Sequence, residues 1–207
     1  MDPSSSTAFT QSAFLPFAVG LFGLGTCYFV WGGQTMFGFP KAEGEAKMPV
    51  EQTAGLWGVW MGGFMQFITG VWLFTGLTWF PVFTGNGDKS PVYMAALAFT
   101  AYGVHWFVMG HRRFIGASPM PDAWMTIAYA WLSIIGVIVF LIAADIPVAI
   151  VFILLALIYL SELGGRFFNW QLGLKLQSLF QLLNGIWLMY LTFAFTLAFS
   201  NGIKLWL

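Results

Sequence analysis

The sequence carries very little charge. Of 207 residues only 8% are Asp, Glu, Lys or Arg, against about 25% in a soluble domain. So few charges cannot clothe a water-facing surface, which excludes an ordinary soluble domain and points to an integral membrane protein. The eight basic and eight acidic residues cancel, so there is no basic footprint for nucleic acid. Cysteine is nearly absent. Cys27 alone makes no internal disulfide and no metal cage, and reads as a small packing residue in an apolar run. The two histidines, His105 and His111, form no cluster, and no H-E-x-x-H is present. No pair of carboxylates lies at mid-membrane depth. These absences leave no hydrolytic constellation and no metal cage; no cofactor is expected, and the chain is not expected to be an enzyme. The opening "MDPSSSTAFTQSAF" has no Lys or Arg, whereas a cleaved signal peptide starts with a basic stretch. The first hydrophobic run is therefore read as a retained span.

What the chain does have is apolar length: 59% of its residues are hydrophobic. Crossing a bilayer takes roughly 20 mostly apolar residues. Six runs qualify, at about 14–36, 54–80, 91–110, 122–143, 146–163 and 174–200. They are too long and too evenly apolar for barrel strands. Helices also satisfy their own backbone hydrogen bonds in lipid. Only 37–53 and 84–91 have real polar content between runs. The expectation is an all-α integral membrane protein, 1–207 forming one compact bundle of six transmembrane helices.

Lys41, Lys47, Arg112, Arg113, Arg166 and Lys175 fall in the first, third and fifth loops, and only Lys89 and Lys204 fall on the other side. The positive-inside rule, taken at face value, puts both termini outside the cytoplasm. Gly58 and Gly62 stand at GxxxG spacing, which lets helices approach closely in lipid. Gly20, Gly23 and Gly25 of "GLFGLG" lie inside a span with no strand before them, so a nucleotide loop is rejected. Trp31, Trp79, Trp124, Trp170 and Trp206 lie near span ends, where indoles anchor at the interface. Trp57, Trp60, Trp72, Trp106 and Trp187 lie deeper and are candidates for packing or for lining a path.

Polar side chains inside a membrane are costly and mark candidate functional positions. Here they are Gln66, Thr69, Thr100, Tyr102, His105, Tyr129, Ser133, Tyr159, Gln181 and Asn184. Glu162, Arg166 and Lys175 sit near span ends and read as interfacial or paired. By the 3.6-residue period, Tyr102, His105 and Trp106 form one stripe on the third helix. His105 admits three readings: a neutral imidazole bonded to a neighbouring helix, a path-lining or proton-handling group, or a ligand to a pigment or haem.

Two stretches resemble the signatures of a known family. "GVWMGGFMQFITGVW" (58–72) is similar to the second-helix signature of the acetate uptake transporter family, the succinate–acetate permease type. "AFTAYGVHWF" (98–107) resembles its third-helix signature, which reads alanine, phenylalanine, threonine, a small residue, tyrosine, glycine. The resemblance implies six helices around a narrow path in each protomer, and a hexamer of protomers. It implies small carboxylates such as acetate or succinate as solutes, moved with protons or as a channel-like flux. It also implies a hydrophobic constriction of a helix-one phenylalanine, the signature tyrosine and a helix-five leucine. In this sequence these are Phe22, Tyr102 and Leu155, with Gln66 matching at helix two.

The chain departs from that pattern at several places. The family's asparagine, proline, alanine, proline, leucine, glycine entrance motif is replaced by "AFLPFAVGLFG", which keeps only Pro16. Leu73 stands where the family has a helix-two glutamate. His105 takes a place usually held by an apolar or aromatic residue. The leading expectation is a transporter or channel for small carboxylates in a bacterial-type cytoplasmic membrane, with His105 beside the path. The alternative is a transport-inactive accessory or scaffold subunit of a larger membrane complex, with or without a pigment or haem on His105.

Overall fold

The computed structural model describes residues 15–38, 49–79, 89–200 and 205–206, which are helical over most of their length. Six helices follow one another: α1 Leu15–Phe37, α2, α3 Ser90–Ile115, α4 Asp122–Ile142, α5 Ile146–Phe167 and α6 Gln171–Ser200. Helix α2 runs in three segments, α-helical Val50–Trp57, π-helical Gly58–Phe64 and α-helical Met65–Thr78. Among the described residues, α3, α4, α5 and α6 are long and apolar enough to cross a membrane. No single segment of α2 reaches that length, because the π turns divide it.

Local sequence sets the ends. Pro91 sits in the first turn of α3, where its missing N–H costs nothing. Gly116 ends α3 in the left-handed region at φ 70°, and the N–H of Ala117 closes back on Arg112 O at 3.0 Å. Asp145 caps α5 by accepting from Val148 N at 3.1 Å. Burial raises the Asp145 carboxyl above its usual range, partly offset by that hydrogen bond.

Helix α1 packs chiefly on α6 and also on α2, α2 on α3, α4 on α5, and α5 on α6. The α2–α3 contact is made backbone to backbone. A Cβ on Gly103 would lie 2.5 Å from Phe67 N, and one on Gly110 would lie 2.6 Å from Val59 N. The Gly58 and Gly62 spacing expected to pack helices does so within the chain, since a Cβ at Gly62 would meet Trp106 at 2.7 Å. The π turns lie at this point. Gln66 Nε2 donates to Gly62 O at 2.7 Å, tying the carbonyl of the widened backbone to a buried side chain.

Several tryptophans are placed differently from their expected roles. Trp31 is buried, not interfacial: its Nε1 donates to Ala54 O at 2.8 Å, and Arg113 stacks over its ring at 4.5 Å. Trp57, Trp60 and Trp72 face outward from α2 rather than into the bundle. The helix is apolar all round, so its sequence does not distinguish the lipid side from the packed side. Trp79, Trp124, Trp170 and Trp206 are exposed as expected of anchors.

Candidate functional site

Among the described residues, three cavities can be followed along the bundle. The largest, about 520 Å³, is lined by polar and charged groups: Glu51, Arg112, Arg113, Glu162 and Arg166, with Gln177 and Gln181 from α6. It sits at the end where α3 and α5 finish. The smallest, about 30 Å³, is lined almost wholly by apolar side chains of α1, α3, α5 and α6, with Gln66 and Tyr102. A third, of about 260 Å³, lies at the opposite end beside Pro91 and Asp145. It shares Phe17, Ala95 and Val148 with the smallest. A void of about 30 Å³ has room for roughly two waters, but an apolar one stays dry.

The large and small cavities are divided by a layer one helical turn thick. On α1, Leu24 lines the small cavity and Tyr28 the large one. On α3 the same step runs from Tyr102 to Trp106, and on α5 from Leu155 to Tyr159. Four residues of helix are about 6 Å. Tyr28 and Trp106 meet edge to face at 5.8 Å, and Tyr102 stacks on Tyr159 at 5.9 Å. The layer is thus a plug of interlocked aromatic rings.

The stripe expected on α3 is present, with Tyr102, His105 and Trp106 all buried. Tyr102 sits on the small cavity. Its hydroxyl bonds Ser133 Oγ at 2.8 Å, and Ser133 in turn donates to Tyr129 O at 2.6 Å. His105 borders the large cavity; its ring lies 4.3 Å from that of Tyr129, and its Nδ1 lies 2.7 Å from Met125 Sδ on α4. His105 Nε2, Trp106 Nε1 and both amide atoms of Asn184 are buried and have no hydrogen-bond partner among the described residues. His111 is exposed at the end of α3.

Leu155 and Gln66 line the small cavity with Tyr102. Phe22 does not. It is 38% exposed on the outer face of α1, and Phe17, Leu21 and Leu24 take the inward positions. Their spacing of four and three residues is one helix face, and Phe22 lies off it. Phe17 meets Phe99 and Phe195 edge to face, each at 5.1 Å, between the small and the third cavity. The register error arises because every residue from Phe17 to Leu24 except Gly20 and Gly23 is apolar.

The charges of the large cavity are matched one to one. Arg113 grips Glu51 through two nitrogens, at 2.5 and 2.8 Å. Arg166 bonds Glu162 at 2.6 Å, and Arg112 meets Asp122 at 2.9 Å as an ion pair whose angle falls short of a hydrogen bond. Glu162 was expected near the interface; it is paired, as anticipated, but only 2% exposed. The Arg113 hydrogen bonds hold the Glu51 carboxyl below its usual range. Among the described residues no group of three or more His, Cys, Asp or Glu could hold a metal ion.

The fold matches the solved structure of the bacterial acetate channel SatP, with a TM-score of 0.72 and 16% sequence identity, over 92% of this chain and 96% of that one. No protein-family profile and no curated protein matches the chain. At that identity the likeness is one of fold. Four membrane-length apolar helices in a fold shared with a membrane channel make this chain an integral membrane protein.

Proposed function

We propose that the protein is a channel or transporter for a small carboxylate such as acetate or succinate, and that all six helices span the bilayer around a path within each protomer of a homo-oligomer. The observation that carries this reading is the row of three cavities, with a one-turn aromatic layer between the large and the small one and Phe17 shared by the small one and the third. Tyr102, Leu155 and Gln66 form the narrow part, with Leu21 and Leu24 in the place first given to Phe22. His105 stands at its wide-chamber side. The charges around the large cavity are paired, which suits it to be the entrance. Apolar walls beyond it set the barrier.

The test is uptake of labelled acetate and succinate by purified protein in liposomes. Saturable uptake above empty liposomes, reduced by Tyr102→Ala and by His105→Ala, is expected. No flux above empty liposomes for any small acid overturns the proposal.

A further inference from the structure

A carboxylate faces a severe obstacle at the aromatic layer. An unpaired charge in an apolar, membrane-depth site is far costlier than a neutral polar group. The three cations of the large cavity are already committed to Glu51, Asp122 and Glu162. None of them lines the small cavity. What the layer offers instead is a set of uncharged, unpartnered hydrogen-bonding groups.

Their chemistry is specific. A thioether sulfur carries no proton and only accepts, weakly. The contact of His105 Nδ1 with Met125 Sδ is therefore attractive only when Nδ1 bears the hydrogen. In a neutral imidazole that leaves Nε2 as a bare acceptor, and it is buried without a partner. The next residue, Trp106, supplies the opposite: its indole Nε1–H only donates, and it too is buried without a partner. Both side chains line the large cavity, with these two nitrogens buried beneath its surface. Across the bundle, Asn184 lies on α6 three residues from Gln181, which lines the large cavity, and four from Leu188, which lines the small one. By helical period it belongs to the dividing layer. It is 0% exposed, and both its amide donor and its amide acceptor are unpartnered.

Resting on the proposal that the solute is a small carboxylate, we infer that His105, Trp106 and Asn184 form a recognition site for the protonated, neutral acid. A –COOH group presents one donor, its O–H, and one acceptor, its C=O. His105 Nε2 accepts from the first, and the Trp106 N–H donates to the second. The side-chain amide of Asn184 offers the same complementary pair and receives the group one step further on. No bond is made or broken, and the proton travels on the solute. The site thereby selects neutral donor–acceptor ligands and excludes the anion. The other ionisable groups around His105 are Tyr102 and Arg112 on α3, Asp122 and Tyr129 on α4, Tyr159, Glu162 and Arg166 on α5, and Tyr28 on α1. Their carboxylates are each paired with one of the arginines.

Acetamide is the diagnostic probe, because it has the shape and the donor–acceptor pair of acetic acid and stays neutral at every pH used. Protein-dependent flux is measured in liposomes with equal pH on both sides, empty liposomes being subtracted. Acetate flux is expected to fall about tenfold per pH unit above the acid's own pKa. Acetamide is expected to pass, and to compete with acetate, independently of pH. Asn184→Leu, Trp106→Phe and His105→Phe each keep bulk and remove the polar atoms. Each is expected to lower both fluxes about tenfold, the worth of one hydrogen bond. Acetate flux that ignores both pH and acetamide keeps the carboxylate reading and overturns this site. Unchanged flux in Asn184→Leu or Trp106→Phe also overturns it. Acetamide flux with no carboxylate flux at any pH overturns the carboxylate reading and leaves the neutral-ligand site standing. The wild-type measurements need no variant to fold.

Discussion

The wide chamber and the narrow one beside it are built on opposite rules, one turn of helix apart. The wide chamber is held by charge: three arginines, three carboxylates, each cation matched to an anion on another element or one turn away. The narrow chamber is held by shape: Tyr102, Leu155, Leu188 and Leu191 close on a void that lacks room for more than about two waters. Charges need partners and tolerate space. Apolar side chains need contact and tolerate none. The change of rule falls within about 6 Å, and on the proposed reading the barrier lies there, beside Trp106 and Asn184, whose buried polar atoms have no partner among the described residues.

The largest effect is expected from breaking a charge pair of the wide chamber. Arg166→Ala leaves Glu162, 2% exposed, without its partner. A loss of about 3–5 kcal/mol is expected, read as thermal unfolding in detergent. Replacing Glu162 and Arg166 together with Leu should recover most of it. A loss confined to Arg166→Ala is the signature of the stranded carboxylate, and equal losses in both variants count against it.

Next comes the narrow chamber. Leu155 is 2% exposed and packed in its wall. Leu155→Ala should cost about 2–5 kcal/mol as an unfilled cavity. In liposomes the same variant should admit longer acids that the parent excludes. If stability falls while the solute range stays fixed, Leu155 is a packing residue and not part of the neck.

The smallest effect belongs to the rim of the wide chamber. The Glu51 side chain is 64% exposed although Arg113 grips it. Exposed pairs are worth about 0.2–1 kcal/mol, and Glu51→Gln should cost no more. The Arg113 hydrogen bonds lower the folded pKa of Glu51 below the unfolded value. Its contribution is therefore present above the unfolded pKa and lost as pH falls through the folded one. A melting series across acidic pH should show that small loss in the parent and not in Glu51→Gln.

Much of this arrangement is legible in the sequence. The six apolar runs coincide with the six helices, because bilayer-length hydrophobicity is a property of composition. The runs stop short where the helices do not: α3 continues to Ile115 and α5 to Phe167. Arg112, Arg113 and Arg166 end the hydrophobic signal without ending the helix. The buried polar residues Gln66, Tyr102, His105, Ser133, Tyr159 and Asn184 were all recognisable as mid-span oddities, and all are buried. The three-and-four spacing was enough to gather Tyr102, His105 and Trp106 on one stripe.

The sequence by itself determined the class of molecule, the helices and which residues would be out of place in lipid, since these follow from local composition and period. Only the tertiary structure decided which way α1 turns. That choice turned Phe22 outward and put Phe17, Leu21 and Leu24 on the small cavity, because a helix that is apolar on every side carries no mark of its inner face. It also decided that Glu51 answers Arg113 across 62 positions of chain, and that Asn184 meets no partner among the described residues while Tyr102 meets Ser133. Those outcomes depend on which helices lie side by side, and no local stretch of residues contains that information.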